Sequence, residues 1–303
     1  MFSVTKPPIS VSKKEVTYST DLANTNVFRE RFSSLTDDQW HALWLSTEHE
    51  THISGLEFPT VPPQDLQLQI HGSATWEVSM GEAFDFYRFI KSHLEINPTG
   101  TDRFLDYGCG WGRMTRPFMR HFNHDKLFGF EPHLLLATIA RSLNPYFCVL
   151  GGGFRPDGSI PKNWFDLIVG WSIFSHLSRA SFKEWLREMS DVLKPGGIGI
   201  FTTWGKRFLE RLQAEKKLLD EGIDIHWYSK VCIEAAGDIA ERIEQYERGD
   251  FVWFTESGSA SYGEAFISEL ALRRVIDEDS LPLTIMMFDT SSLPQDVFLV
   301  RRV

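Results

Sequence analysis

The stretch Arg103-Phe104-Leu105-Asp106-Tyr107-Gly108-Cys109-Gly110-Trp111-Gly112-Arg113 decides the fold. Phe104, Leu105 and Tyr107 read as a short buried strand. Gly108, Gly110 and Gly112 then carry the backbone round a tight turn, because glycine takes positive φ freely. Arg113-Met114-Thr115-Arg116 opens a helix, predicted over 113–121. Pro117 suits its start, where the first backbone N–H groups have no internal partner. A strand, a glycine turn and a helix start leave bare backbone for a ligand to lie against. Asp106 stands just before the turn and faces that ligand. A carboxylate there opposes a phosphate and suits an ammonium or sulfonium group.

Outward from this stretch, four further strands are predicted over 126–130, 147–150, 165–170 and 198–203, with helices over 134–142 and 181–193 between them. The second helix carries a Ser181/Glu184 capping box and an apolar stripe of Phe182, Trp185, Leu186, Met189, Val192 and Leu193. Such alternation gives an α/β fold, a parallel sheet with helices on both faces. Lys194-Pro195-Gly196-Gly197 stops the helix. Upstream, residues 1–25 read as a loose arm, and a short amphipathic helix follows Thr36 with Trp40, Leu43 and Trp44 on one face. The Pro-rich run 55–64 is irregular, and an aromatic helix over 80–90 ends before a turn at 97–100. Downstream, helices near 207–219 and 230–248, with Trp227, Tyr228, Phe251, Trp253 and Phe254 beside them, read as an insertion above the sheet. A helix over 266–276 and two apolar strands over 283–288 and 296–300 close the chain.

Composition excludes some functions. The chain has 303 residues, ample for a full core, and a formal net charge of −10. That charge disfavours a phosphate-tracking surface, so nucleic acid is not the expected partner. Three cysteines with no paired metal spacing suit a reducing compartment, and no carboxylate cluster marks a metal site. Without a signal pattern or a bilayer-length apolar run, a soluble, cytoplasmic protein is expected.

The glycine spacing narrows the ligand. Arg113 occupies the place of the third glycine in a dinucleotide fingerprint, and no P-loop Lys-Ser/Thr follows. Glu131 ends the second strand, in Gly129-Phe130-Glu131-Pro132, where an acid can take both ribose hydroxyls. Its alternative is a carboxylate stabilised by the next helix N-terminus.

Asp106-Tyr-Gly-Cys-Gly-Trp-Gly-Arg113, Phe130-Glu131-Pro132, Phe165-Asp166-Leu167-Ile168-Val169 and Leu193-Lys194-Pro195-Gly196-Gly197 resemble the successive motifs of class I S-adenosylmethionine-dependent methyltransferases. The resemblance covers about residues 80–204. Ser172-Ile-Phe-Ser-His176-Leu177, Phe201-Thr-Thr-Trp204-Gly205 and Tyr262-Gly-Glu-Ala-Phe266 further resemble a bacterial branch associated with saccharide and secondary-metabolite pathways. The resemblance implies a Rossmann-like, seven-stranded sheet that ends in an antiparallel hairpin. It implies four segments: an N-terminal arm and helical extension (1–79), a cofactor-binding core (80–204), a helical insertion before the sixth strand (205–262), and a closing helix and strands (263–303).

The implied cofactor is S-adenosylmethionine. Asp106, Gly108 and Gly110 would line its methionine end, Glu131 its ribose, and Gly153 and Phe154 its adenine, through backbone and aromatic contacts because the acid often found there is missing. Trp171 would face the sulfonium, and Arg113 and Pro132 complete the expected contact set. Trp76 and the 80–87 helix would close over the pocket.

The implied reaction is O- or N-methylation of a small molecule, a saccharide or natural-product intermediate among the acceptors, by in-line methyl transfer. A base is needed only for a hydroxyl or a protonated amine, and His176, past the fourth strand, is the candidate. A histidine that packs and caps the next helix is the alternative, and His226 is a weaker second candidate. A protein acceptor, a cofactor-binding homologue without transfer, and a dinucleotide oxidoreductase are the competing readings. The aromatics of the insertion could stack on an acceptor or form the core of a cap.

Overall fold

The computed structural model describes residues 25–71, 75–96 and 100–303. The expected arm over 1–25 and turn over 97–100 therefore lie outside the described residues, apart from Thr25 and Gly100. Helices α1 (Val27–Phe32), α2 (Asp37–Ser46), α3 (Gln64–His71) and α4 (Trp76–His93) form the N-terminal part, with a small hairpin of β1 (His52–Ile53) and β2 (Leu56–Glu57) between α2 and α3. Thr36 and Gln39 exchange side-chain and backbone hydrogen bonds at the start of α2, satisfying two otherwise orphaned donors.

The alternating run follows as β3 (Phe104–Tyr107), β4 (Leu127–Glu131), α5 (Leu134–Leu143), β5 (Cys148–Gly151), β6 (Phe165–Gly170), α6 (Arg179–Val192) and β7 (Leu193–Thr203). Then come α7 (Lys206–Asp220), α8 (Trp227–Ala236), α9 (Ile239–Glu247), β8 (Val252–Phe254), β9 (Glu264–Phe266), α10 (Glu269–Glu278), β10 (Leu283–Asp289) and β11 (Asp296–Arg302). The main sheet has seven strands in the order β10-β11-β7-β6-β3-β4-β5. β5, β4, β3, β6 and β7 are mutually parallel, and β11 runs antiparallel to β7 and β10. This is the expected Rossmann-like sheet with its antiparallel closing hairpin.

Successive residues of a strand point to opposite faces, and the core divides accordingly. Phe104, Leu127, Leu167 and Val169 pack with the N-terminal aromatics Phe28, Trp40, Trp44, Trp76 and Phe86. Leu105, Phe128, Ile168 and Phe201 pack with the stripe of α6 and with Leu272 and Val275 of α10. A third cluster, of Phe208, Leu212, Cys232, Ile239, Tyr246 and Phe254, is the core of the insertion. The N-terminal helices are thus one cover of the sheet, and the insertion has a small core of its own.

Four expectations are corrected. The segment after the glycine turn is a run of turns and a 3-10 helix, Arg116–Arg120, with Pro117 in its first turn, instead of a helix over 113–121. The cap of α6 is Ser178, whose hydroxyl accepts from the Ser181 N–H; Ser181 lies inside the helix. The helix expected over 230–248 is two helices, because Gly237 has φ +68° and Asp238 caps a new start. The helix expected over 266–276 begins later, since residues 264–266 form β9 against β8.

Candidate active site

The glycine turn is fastened to the neighbouring strand. The N–H groups of Gly108 and Cys109 both donate to the Phe130 carbonyl, at 2.9 and 3.0 Å. Gly108, Gly110 and Gly112 have φ of +73°, +54° and +93°, as a turn built from bare backbone requires. At the end of β4, Glu131 is buried. Its Oε2 accepts from the Gly110 N–H at 2.9 Å and its Oε1 from the His133 N–H at 2.8 Å. Burial raises its pKa, while these two backbone donors pull the other way. Each carboxylate oxygen is oriented by one N–H and keeps a second acceptor site.

Asp106 points to the N-terminal face of the sheet, beneath the turn, and is 1% exposed. Its Oδ2 accepts from the Thr115 hydroxyl at 2.7 Å. Burial pushes its pKa up to about 7, against the Thr115 hydrogen bond and the Arg113 charge, with Glu131 adding to the rise. Arg113 turns away towards α4, donating to the Ser79 carbonyl at 3.1 Å and pairing with Glu82 at 2.5 Å. Arg116, fully buried, lies over the rings of Trp111, Trp76 and Trp44 at 4.7, 5.5 and 5.6 Å. Burial lowers its pKa to about 9. It donates to Asn144 Oδ1 and the Thr60 carbonyl, so one cation ties the glycine turn to the N-terminal cover.

Past β5, the Gly153 N–H donates to Asp157 Oδ2 at 2.7 Å, and the Phe154 ring is 70% exposed, edge-on to His133. Asp157 also accepts from the Ser159 N–H at 3.0 Å, so this exposed carboxylate closes its own loop. Pro132 is half-buried between Glu131 and the exposed Leu134 at the head of α5.

Beyond β6, the half-buried Trp171 packs on Phe86 of α4, with ring centroids 5.0 Å apart. Ser172 follows with φ +59°, a left-handed conformation for a residue that is not glycine. The chain returning from the insertion hydrogen-bonds to this segment. Gly263 N–H donates to the His176 carbonyl and Ala265 N–H to the Ser175 carbonyl. This pairing sets Glu264 beside His176, with 3.4 Å between Glu264 Oε2 and His176 Nδ1. The same Glu264 oxygen accepts from Trp204 Nε1 at 2.6 Å. Nδ1 lies 2.9 Å from the Gly263 carbonyl, Nε2 lies 3.3 Å from Ser172 Oγ, and the ring stacks on Tyr262 at 5.0 Å. Gln295, preceding β11, donates to Ser172 Oγ at 2.9 Å. Glu264, Ser172, Tyr262 and Gln295 carry no role that the sequence alone assigns. Their only signal was that two of the quoted segments contain the first three.

β4, β3 and β6 are neighbours in the sheet, so the glycine turn, Glu131 and the Ser172–His176 segment occupy adjoining carboxyl ends of strands. In open α/β sheets that edge is where ligands bind.

Residues 104–197 match the family model of a methyltransferase domain. This stretch, from β3 into β7, is a methyltransferase domain. Among curated proteins, an uncharacterized methyltransferase of Oceanobacillus iheyensis is 28% identical over 142 residues, 46% of this chain and 62% of that protein, less than two thirds of its length. A malonyl-[acyl-carrier protein] O-methyltransferase of Calditerrivibrio nitroreducens is 23% identical over 190 residues, 52% of this chain and 71% of that protein. Among solved structures, magnesium protoporphyrin IX methyltransferase from Synechocystis PCC 6803 with bound SAH is 9% identical, with a TM-score of 0.49 over 79% of this chain and 94% of that one.

A methyltransferase domain implies S-adenosylmethionine as the methyl donor, and the residues present fit it. Glu131 offers two oriented acceptor oxygens with sites to spare, as a ribose diol requires. The turn beside it is bare glycine backbone. Among the described residues, no three His, Cys, Asp or Glu side chains gather as a metal site would need, and no helix is long and apolar enough to cross a membrane.

Proposed function

We propose that this chain is an S-adenosylmethionine-dependent methyltransferase acting on a small-molecule acceptor at oxygen or nitrogen. The observation that carries the reading is the adjacency of two unlike sites, the glycine turn with Glu131 and the His176–Glu264 pair, along one edge of the sheet. The Tyr262 ring, stacked on His176 at 5.0 Å, covers the second of them.

When bound, S-adenosylmethionine supplies an electrophilic methyl group on a sulfonium cation. In this reading Glu131 accepts the ribose hydroxyls, with Gly110 and His133 N–H groups fixing its rotamer. Gly108 and Gly110 admit the methionine end against bare backbone, and the Asp106 charge beneath the turn favours a cation there. Phe154 and the Gly153 backbone cover the adenine, beside Pro132, and Trp171 limits the space towards α4. Arg113, engaged by Glu82, acts on the cofactor through the position of α4. His176 receives the proton of an acceptor hydroxyl or amine at Nε2. A small acceptor is favoured because the candidate base, its side chain 14% exposed, is closely covered by Tyr262, which leaves room for a compact molecule. The expected segments 1–79, 80–204, 205–262 and 263–303 then divide the work between cover, cofactor core, acceptor cap and sheet closure.

The test has two steps. Thermal shifts with S-adenosylmethionine, S-adenosylhomocysteine and NAD should show stabilisation by the first two only. Labelled methyl should then pass into a metabolite extract and not into protein or RNA pools. Stabilisation by NAD alone, or label in protein, would replace this reading.

A further inference from the structure

Three observations about the acceptor side converge on one carboxylate. The first is the ring orientation of His176. A backbone carbonyl only accepts hydrogen bonds, so the 2.9 Å contact between Nδ1 and the Gly263 oxygen requires a proton on Nδ1. Glu264 Oε2, at 3.4 Å from the same nitrogen, is a second acceptor and favours the same arrangement. In the neutral ring the lone pair is then on Nε2, the nitrogen beside Ser172 Oγ.

The second is the company Glu264 keeps. It receives the indole N–H of Trp204 from the end of β7, and its charge acts on the Tyr228 phenol of α8, which burial and then this charge raise. Sheet, insertion and His176 thus meet on one carboxylate. The third is the cluster of polar groups around Nε2. Ser172 Oγ lies 3.3 Å from Ser175 Oγ and accepts from Gln295 Nε2, while Gln295 Oε1, on a side chain 5% exposed, has no hydrogen-bond partner among the described residues. A buried amide oxygen left without a donor is costly unless something supplies one. Ser172 is also held in the left-handed region, with its N–H on Thr202 Oγ1 at 2.7 Å, and such strain persists where the surroundings impose it.

The charges beside this cluster restrict what docks on it. Glu264 is the ionic group in contact with His176. Among the described residues, Arg113 is engaged with Glu82, and Arg207 with the Leu293 carbonyl and Asp296. A phosphate or carboxylate would meet the Glu264 charge, which these two arginines are not placed to offset.

We propose that Glu264 is a positioning residue, which with the Gly263 carbonyl keeps the His176 proton on Nδ1, so that Nε2 faces an uncharged hydroxyl acceptor whose second polar group donates to Gln295. The inference rests on the methyltransferase reading above. The acceptor O–H proton passes to Nε2 as the new O–CH3 bond forms, the S–CH3 bond breaks and its electron pair stays on sulfur, leaving S-adenosylhomocysteine. Charge balances, with the sulfonium positive charge replaced by that of the imidazolium.

The ring can be read without a substrate. Long-range proton–nitrogen NMR on the full-length labelled chain with S-adenosylhomocysteine, assigned by loss of one signal in His176→Asn, should show His176 as the Nδ1–H tautomer. In Glu264→Gln, whose amide can donate, the Nε2–H form should rise at its expense. A wild-type Nε2–H tautomer, or a Glu264→Gln spectrum identical to wild type, overturns the proposal. In the transfer assay, methyl label should elute with the uncharged metabolites on anion exchange, and label in the retained acidic fraction overturns the acceptor class. Glu264→Gln should lower turnover at least ~10-fold, a share of the ~10²–10⁴ that a general base provides, with an unchanged S-adenosylhomocysteine thermal shift. No shift in the wild type would instead mark failure of the methyltransferase reading, and the tautomer measurement would still decide the role of Glu264.

Discussion

The proposed cofactor half and the proposed acceptor half of this site are built in different ways. The first is made mostly of backbone. Gly108 and Cys109 N–H groups fasten the turn to the Phe130 carbonyl, and Gly110 and His133 N–H groups hold Glu131, all within one stretch of β3, turn and β4. The second is made of side chains from distant segments. His176, Trp204, Glu264 and Gln295 meet only because the chain returning from the insertion pairs with residues 175–178 and because β11 lies beside β7. A ligand common to many proteins can be read by a local backbone device. An acceptor particular to one protein calls for groups that vary independently, and assembling them from afar allows that.

Substitutions should separate the halves. The largest effect is expected at Arg116, whose removal leaves a cavity among three tryptophans and strips Asn144 Oδ1 and the Thr60 carbonyl of their donor. Arg116→Ala should cost about 4 kcal/mol of stability by chemical denaturation. It should also make residues 25–96 the first site of limited proteolysis, with the insertion still protected. If the insertion is cut first, the N-terminal cover is not fastened through this cation.

Next is Gly108→Val. A branched side chain at φ +73° strains the backbone by about 2–3 kcal/mol, and its Cβ would fall 2.2 Å from Ile173 Cδ1. Calorimetry should show S-adenosylhomocysteine binding lost. Ile173 belongs to the Ser172–His176 segment, so the His176 ring signals should move with it. Binding equal to wild type would mean that the cofactor does not lie against this turn.

The pH dependence of Asp106 follows. Its pKa rises from the ordinary 3.8 to about 7 on folding, so the folded chain holds this proton more tightly than the unfolded one. The linked contribution to stability is therefore greatest below pH 4 and declines as pH rises towards 7. Asp106→Asn should flatten that slope and stabilise the free protein at pH 8. The wild type should bind S-adenosylhomocysteine more tightly as pH passes 7, because the ligand ammonium favours the ionised carboxylate. An affinity independent of pH would place the ammonium elsewhere. The smallest effect is expected from Tyr228→Phe, which removes one polar neighbour of Glu264. It should lower turnover only ~2–5-fold, in keeping with ~0.5–1 kcal/mol for a single hydrogen bond, without touching cofactor affinity.

The same contrast explains what was legible in the sequence. The strands at 104–107 and 165–170 were read to the residue, since apolar runs bounded by glycine and charge leave little choice. Glu131 stood out because its spacing from the glycines is set by one β–turn–β unit. At Gly237 the apolar period runs through the break and masks its sequence signal, a glycine stop at φ +68° followed by the Asp238 cap. The partners of His176 could not be read, since 87 residues separate it from Gly263 and 123 separate Ser172 from Gln295. Nor could Arg113 be assigned to Glu82, a contact made across the packing of α4 on the turn.

The most direct test is calorimetric titration of the wild type and Glu131→Gln with S-adenosylhomocysteine at pH 8. The wild type should bind one molecule. The variant, with weaker acceptors for the ribose diol, should bind ~10–100-fold less tightly, as the loss of a charge-assisted hydrogen bond implies. Equal affinities for the two proteins, or no binding to the wild type, would contradict the placement of the cofactor at the end of β4.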